Sequence, residues 1–192
     1  KGGHGMRFDT IIIGGGLSGL TCAIQLAKAN QRVAVVSAGQ STLHFHSGSF
    51  DLLGYNEDGT EVTDLADGLK KLSTKHPYSK IGATETLALA KGARLLLTDI
   101  GICTKGDGET NHYRLTPIGA LKPAWLTIED FFTTESAKAI PYKMVTLVNI
   151  EGFLDMPIDF LKDSLEQAGV TCKVKTITVK ELCDRRRSQT EM

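Results

Sequence analysis

The sequence predicts an α/β fold organised on a parallel sheet, and three observations carry the prediction. An apolar run, Phe8-Asp9-Thr10-Ile11-Ile12-Ile13, leads straight into Gly14-x-Gly16-x-x-Gly19. Leu17, Leu20, Ile24 and Ala27 then recur at helical spacing, and a second apolar run over 32–37 follows. Strand, glycine turn, helix and strand make a βαβ unit with parallel strands. Later in the chain the same order returns without the glycines: a strand at Met144–Ile150, a helix over 157–168 and a strand over 170–179. Pro157 marks the first turn of that helix and Gly169 its stop.

Each glycine of the first unit has a mechanical reason. Gly14 lets the chain turn sharply off the strand, Gly16 removes the Cβ that would block a pyrophosphate, and Gly19 lets helix and strand pack closely. A ligand phosphate would then rest on the N–H groups of Gly14, Gly15, Gly16, Leu17, Ser18 and Gly19, at the positive end of the helix. This is the Rossmann-type arrangement of FAD- and NAD(P)-binding proteins, here incomplete, with the start of a second α/β region behind it.

The second strand narrows the ligand. In dinucleotide folds an Asp or Glu about 20 residues past the glycines holds the adenosine ribose. Val33-Ala34-Val35-Val36 runs instead into Ser37, Ala38, Gly39 and Gln40. A hydroxyl at Ser37 offers one neutral hydrogen bond, about half the strength of the charge-assisted kind. No Arg or Lys stands near it to take a 2′-phosphate, so a flavin tolerates this site better than NAD or NADP. Residues 39–54 then form a loop dense in Ser, Gly and His. Gly39, Gln40, Ser47, Gly48 and Ser49 are small or hydrogen-bonding residues that would let a phosphate or flat ring approach, and an ordinary surface loop is the competing reading. His44 and His46 flank Phe45 and read more readily as structural or solvent-exposed than as catalytic.

Further along, residues 62–72 form a helix with Leu65, Leu69 and Leu72 on one stripe, and a second helix covers 84–98, the two separated by a turn at Pro77 and Gly82. Residues 102–117 read as two strands joined by Lys105-Gly106-Asp107-Gly108, since Asp-Gly between apolar flanks signals a hairpin. Residues 125–141 follow neither periodicity and read as a connection. The expected organisation is an expression remnant at 1–5 with Met6 as the natural start, a flavin-binding Rossmann-type region with its hairpin over 6–118, and a truncated second α/β region over 119–192, serving a substrate or partner. Late strands that would complete the first sheet are missing, which reads as a fragment of a longer protein.

Composition excludes several classes. The 22 basic residues balance the 22 acidic ones, so no overall field points to nucleic acid or an anionic membrane, and Arg185-Arg186-Arg187 reads as a solvated end. Cys22, Cys103, Cys172 and Cys183 are widely spaced with no C-x-x-C pair, which argues against zinc or an iron–sulfur cluster and for a reduced, cytoplasmic setting. No apolar run approaches the roughly 18 to 20 residues that span a bilayer.

More specific runs punctuate the chain: Met6-Arg7-Phe8-Asp9-Thr10, the glycine loop over 14–20, Gly39-Gln40-Ser41 with Leu43-His44-Phe45, Ser47-Gly48-Ser49 with Asp51-Leu52-Leu53, His76-Pro77-Tyr78-Ser79, and Thr116-Pro117 with Trp125-Leu126. In these the chain resembles the B subunit of anaerobic glycerol-3-phosphate dehydrogenase. The glycine loop is common to many flavoproteins; the His-Phe-x-Ser-Gly-Ser-x-Asp-Leu-Leu run is far more specific. That family also lacks the ribose carboxylate, so Ser37 is no departure.

The resemblance implies a cytoplasmic flavoprotein subunit, with FMN its usual cofactor and FAD the alternative. It would belong to a three-subunit complex that oxidises glycerol 3-phosphate to dihydroxyacetone phosphate and passes electrons toward membrane quinone for fumarate or nitrate respiration. An A subunit would contain FAD and catalyse; a C subunit would carry iron–sulfur clusters and hold the complex peripherally at the membrane. No catalytic residue carries over. The expected ligand contacts are Gly14, Gly16 and Gly19 at the phosphate, Ser37 near a ribose or ribityl hydroxyl, and Ser47, Gly48 and Ser49 near the flavin. A different FAD- or NAD(P)-dependent oxidoreductase, or a noncatalytic assembly or electron-relay subunit, are the rival readings.

Overall fold

A computed structural model describes residues 6–179. The expected remnant at 1–5, Cys183 and the arginine triplet lie outside the described residues. The chain forms two compact units, one ending at Ser47 and the other beginning at Gly48.

The first unit is the expected βαβ. Strand β1 (Thr10–Ile13) pairs in parallel with β2 (Val33–Val36), Thr10 opposite Val33 through Ile13 opposite Val36, and helix α1 (Leu17–Lys28) crosses between them. The helix ends through Asn30, whose φ of 61° supplies the left-handed stop and whose N–H reaches the Ala27 carbonyl at 2.9 Å. A bidentate clasp fixes the entry of both strands: Arg32 Nη2 and Nε lie 2.7 and 3.0 Å from the two carboxylate oxygens of Asp9. Ile12 turns inward toward α1, whereas Ile11 and Ile13 on the opposite face are 63% and 89% exposed.

The second unit contains two small antiparallel sheets. In one, β7 (Leu126–Ile128) is central, flanked by β3 (Ser49–Phe50) and β4 (Thr104–Lys105). In the other, β5 (His112–Leu115) lies between β6 (Leu121–Ala124) and β8 (Thr133–Thr134). Helices α2 (Leu65–Lys71), α3 (Pro77–Ile81) and α4 (Ala83–Asp99) accompany them. Leu65, Leu69 and Leu72 are buried as their stripe requires and join Leu53, Val62, Ala90, Trp125 and Leu126 in one core. Helix α3 was hidden in the expected turn: Pro77 sits at its start and the His76 ring accepts the Tyr78 N–H at 3.1 Å.

Two expectations are corrected here. Strands β4 and β5 do not form a hairpin: β4 pairs with β7, and β5 pairs with β6 and β8. Asp107 spends its carboxylate on the N–H groups of Glu109 and Thr110, both at 2.7 Å, so the loop closes on itself and does not carry a two-residue turn. Residues 125–141 are not merely a connection either, since Leu126 and Thr127 are fully buried in the central strand β7. The boundary expected between 118 and 119 falls in the turn joining β5 to β6, two strands paired along their full length.

The second βαβ is present. Strand β9 (Met144–Ile150) pairs in parallel with β10 (Thr171–Ile177) around α5 (Ile158–Gln167), with Pro157 as N-cap. Leu161, Leu165, Val170 and Cys172 form its core, and the Ser164 hydroxyl donates to the Ile118 carbonyl at 2.9 Å, tying α5 to the β5–β6 turn. Among the described residues no helix is long and apolar enough to cross a membrane.

Candidate functional site

The glycine turn of the first unit is built so that a helix terminus stays open. Gly14 takes φ of +107°, and its N–H still reaches Val36 O at 2.8 Å, so the turn begins only after the parallel pairing is complete. Gly16 is the N-cap in extended conformation and, without a side chain, satisfies none of the helix amides. The Leu20 N–H reaches Gly16 O at 2.9 Å, leaving the preceding amides of Gly16 to Gly19 without an intrahelical acceptor. No acidic residue stands in the first turn to compete with an anion. A Cβ at Gly19 would collide with the carbonyl oxygen of Gly14 and lie 3.3 Å from the Ile12 side chain. The glycine therefore sets how closely α1 presses on the turn.

Ser37 is brought against this turn. A Cβ built on Gly15 would lie 3.3 Å from Ser37 Oγ, and the exposed hydroxyl donates to the Gly39 carbonyl at 3.1 Å. Gly39 itself has φ of +129°, and Gln40 is exposed beside it. Ser41 accepts the Leu43 N–H at 3.2 Å and caps a 3-10 turn at Thr42–Phe45. Ser47 ends the first unit, whereas Gly48 and Ser49 are built into the second. Gly48 has φ of +73°, accepts the Ile128 N–H at 2.7 Å and leaves room for the Phe131 ring; Ser49 is buried opposite Thr127. Gly48 and Ser49 thus have packing roles in the second unit.

That unit has polar features which no local motif announces. His112 Nε2 and Thr127 Oγ1 lie 2.7 Å apart in the core and join the two sheets. Burial pushes the His112 imidazole below its ordinary range, against the opposing pull of Glu135 and Asp107. A cavity of about 510 Å³ is lined by Asp64, Lys91, Arg94, Asp107, Glu109 and Trp125 among others. Much of its polarity is committed within the fold: Arg94 Nη1 donates to Asp107 O at 2.6 Å, Asp64 accepts the Asp67 N–H at 2.8 Å, and Asp107 holds its own loop. Only the tertiary fold brings these groups together, because their members come from elements far apart in sequence.

A parallel βαβ unit that delivers an uncapped helix terminus through a glycine turn defines a nucleotide-phosphate-binding α/β protein. The family model described as FAD binding domain matches residues 9–191, and the chain belongs to that family. Its sheets and helices fit an α/β FAD-binding fold. The chain is also 41% identical over 169 residues to the B subunit of anaerobic glycerol-3-phosphate dehydrogenase from Yersinia pseudotuberculosis, covering 86% of this chain and 40% of that one. The proteins of the same name from Pectobacterium atrosepticum and Actinobacillus succinogenes are 40% and 37% identical, over 88% and 97% of this chain and 41% and 45% of theirs. The chain therefore spans less than half the length of these relatives. No solved structure matches it. The expected FMN gains no support from the family, whose description names FAD, the alternative.

Proposed function

We propose that this chain supplies the FAD-phosphate-binding part of a flavoprotein subunit of anaerobic glycerol-3-phosphate dehydrogenase. The observation that carries the reading is the bare α1 terminus at Gly16, in a chain whose family is described by FAD binding. Its geometry fits the group: the turn offers unpaired amides and no competing carboxylate. The residues that would hold the phosphates are Gly14, Gly15, Gly16, Leu17, Ser18 and Gly19, with Ser37 beside a ribose or ribityl hydroxyl and Gly39, Gln40 and Ser47 of the same unit as further contacts.

The bound flavin would supply a two-electron acceptor for the secondary alcohol carbon of glycerol 3-phosphate, which leaves as dihydroxyacetone phosphate. This chain's part is to bind and orient that acceptor through backbone N–H groups, which do not titrate and so hold a phosphate at any physiological pH. The electrons would continue toward membrane quinone through an FAD-containing A subunit and an iron–sulfur C subunit, with the complex held at the cytoplasmic face of the membrane by its partners. The names of the relatives support the enzyme, and the word subunit in them supports an assembly.

The test is to release the cofactor of the full-length protein by denaturation and identify it by mass. FAD supports the reading, and FMN or a nicotinamide refutes the cofactor assignment. Gly16→Val should yield a folded protein without flavin, since a branched side chain would occupy the phosphate position. Full flavin content in folded Gly16→Val would overturn the site.

A further inference from the structure

We infer that a row of donors across the β6-β5-β8 sheet, Lys122, Arg114 and Thr133, is a binding site for a phosphate monoester. Register puts the three together: Arg114 on the central strand lies opposite Lys122 on one side and Thr133 on the other. Residues directly opposite in an antiparallel pair share a face, with Cβ atoms about 5 Å apart. His112, two residues before Arg114 and therefore on the same face, meets Thr127 of the neighbouring sheet, which fixes that face as the one turned toward β7.

Three features call for an anion there. Arg114 Nε is buried without any hydrogen-bond partner, and no bond or ion pair reaches this guanidinium among the described residues. The side chain as a whole is half-buried, so an anion would meet the partly exposed end of the guanidinium and draw the shielded Nε–H into its coordination. Lys122 and Arg114 are like charges placed opposite each other, an arrangement that destabilises a sheet until a counter-charge lies between them. The counter-charge present, Asp51 Oδ2 at 2.8 Å from Lys122 Nζ, engages the lysine and leaves the arginine unanswered. Two cations against one carboxylate leave a net positive charge, and the Thr133 hydroxyl adds a neutral donor. A planar guanidinium fork, an ammonium and a hydroxyl suit the three terminal oxygens of a dianionic phosphate better than one carboxylate.

The site lies wholly within the second unit and is independent of the flavin reading. Glycerol 3-phosphate, inorganic phosphate, glycerol and FAD are titrated separately into the 192-residue chain, following the Arg114 Nε–H resonance by NMR and the heat by calorimetry. Glycerol 3-phosphate and inorganic phosphate should move that resonance and glycerol should not; tighter binding of the ester than of the free ion marks a substrate and not a phosphate-storage site. Arg114→Gln and Lys122→Gln should each raise the Kd for glycerol 3-phosphate at least tenfold, and Arg114→Lys should rescue part of the loss. Lys122 is half-exposed, so its variant remains a test if Arg114→Gln does not fold. An unmoved Arg114 resonance in the parent chain, an unchanged Kd in folded Lys122→Gln, or a response to FAD alone would overturn the inference.

Discussion

Replacing Gly19 and Gly92 by alanine, one at a time, sets helix propensity against packing within a single protein. Both glycines lie in helices, α1 and α4. Propensity alone predicts that each substitution stabilises by about 0.8–1.0 kcal/mol. At Gly92 nothing lies within 4 Å of the added Cβ, so the full gain is expected. At Gly19 the new methyl meets the Gly14 carbonyl oxygen, with the Gly14 carbonyl carbon and Ile12 Cγ2 both at 3.3 Å. The obstacle is backbone and cannot rotate away. Overpacking of this kind costs about 1–3 kcal/mol, which outweighs the propensity gain and forces α1 off the turn. Gly19→Ala should therefore destabilise by up to about 2 kcal/mol, the opposite sign to Gly92→Ala, and weaken FAD binding at least tenfold, each tenfold being about 1.4 kcal/mol. Urea denaturation of both variants, with a fluorescence titration of FAD, reads the two effects. A Gly19→Ala chain as stable as Gly92→Ala, with unaltered FAD affinity, would refute the close-packing argument.

The pH dependence of the second unit should carry the signature of His112. Its folded pKa is lowered by burial, so the unfolded chain binds the proton more readily; that stability is complete above about pH 6.5 and is lost as pH falls through the folded value, and urea midpoints measured across this window should lose the slope in His112→Gln. Asp9, held at about 2 chiefly by the Arg32 side chain and also by its backbone N–H, should rise toward the ordinary carboxylate range in Arg32→Gln, where the backbone N–H bond remains, as an NMR titration of its carboxyl would show. Asn111→Ala should cost about 2–4 kcal/mol in a denaturation experiment, because the Asn111 amide donates to the carbonyls of Leu53 and Val62 at 2.8 and 2.7 Å and both would be left without that donor.

The elements legible in the sequence are those that satisfy their own requirements locally. The two βαβ units, α2 and α4 all emerge close to where apolar period, proline and glycine put them, because a crossover helix must follow its strand directly. The small antiparallel sheets are different. Strand β7 is a three-residue run, Leu126–Ile128, whose partners Ser49 and Lys105 lie 78 and 22 residues from Thr127, and nothing in Leu-Thr-Ile specifies either. The Asp107-Gly108 signal misled because an aspartate can as well close a loop on neighbouring amides as start a hairpin. The glycine turn was visible as a motif, whereas Arg114, Lys122 and Thr133 become neighbours only through register, which is set by the fold as a whole.

Among the described residues helix α1 has no fully buried residue, and the sheet beneath it has two strands. Two strands and one crossover helix are marginal when taken by themselves. A ligand that binds only the ordered turn adds its own free energy to that margin, about 2.7 kcal/mol when present at a hundred times its Kd. An anion held on the open amides of the turn would therefore protect the first unit against unfolding as well as occupy it.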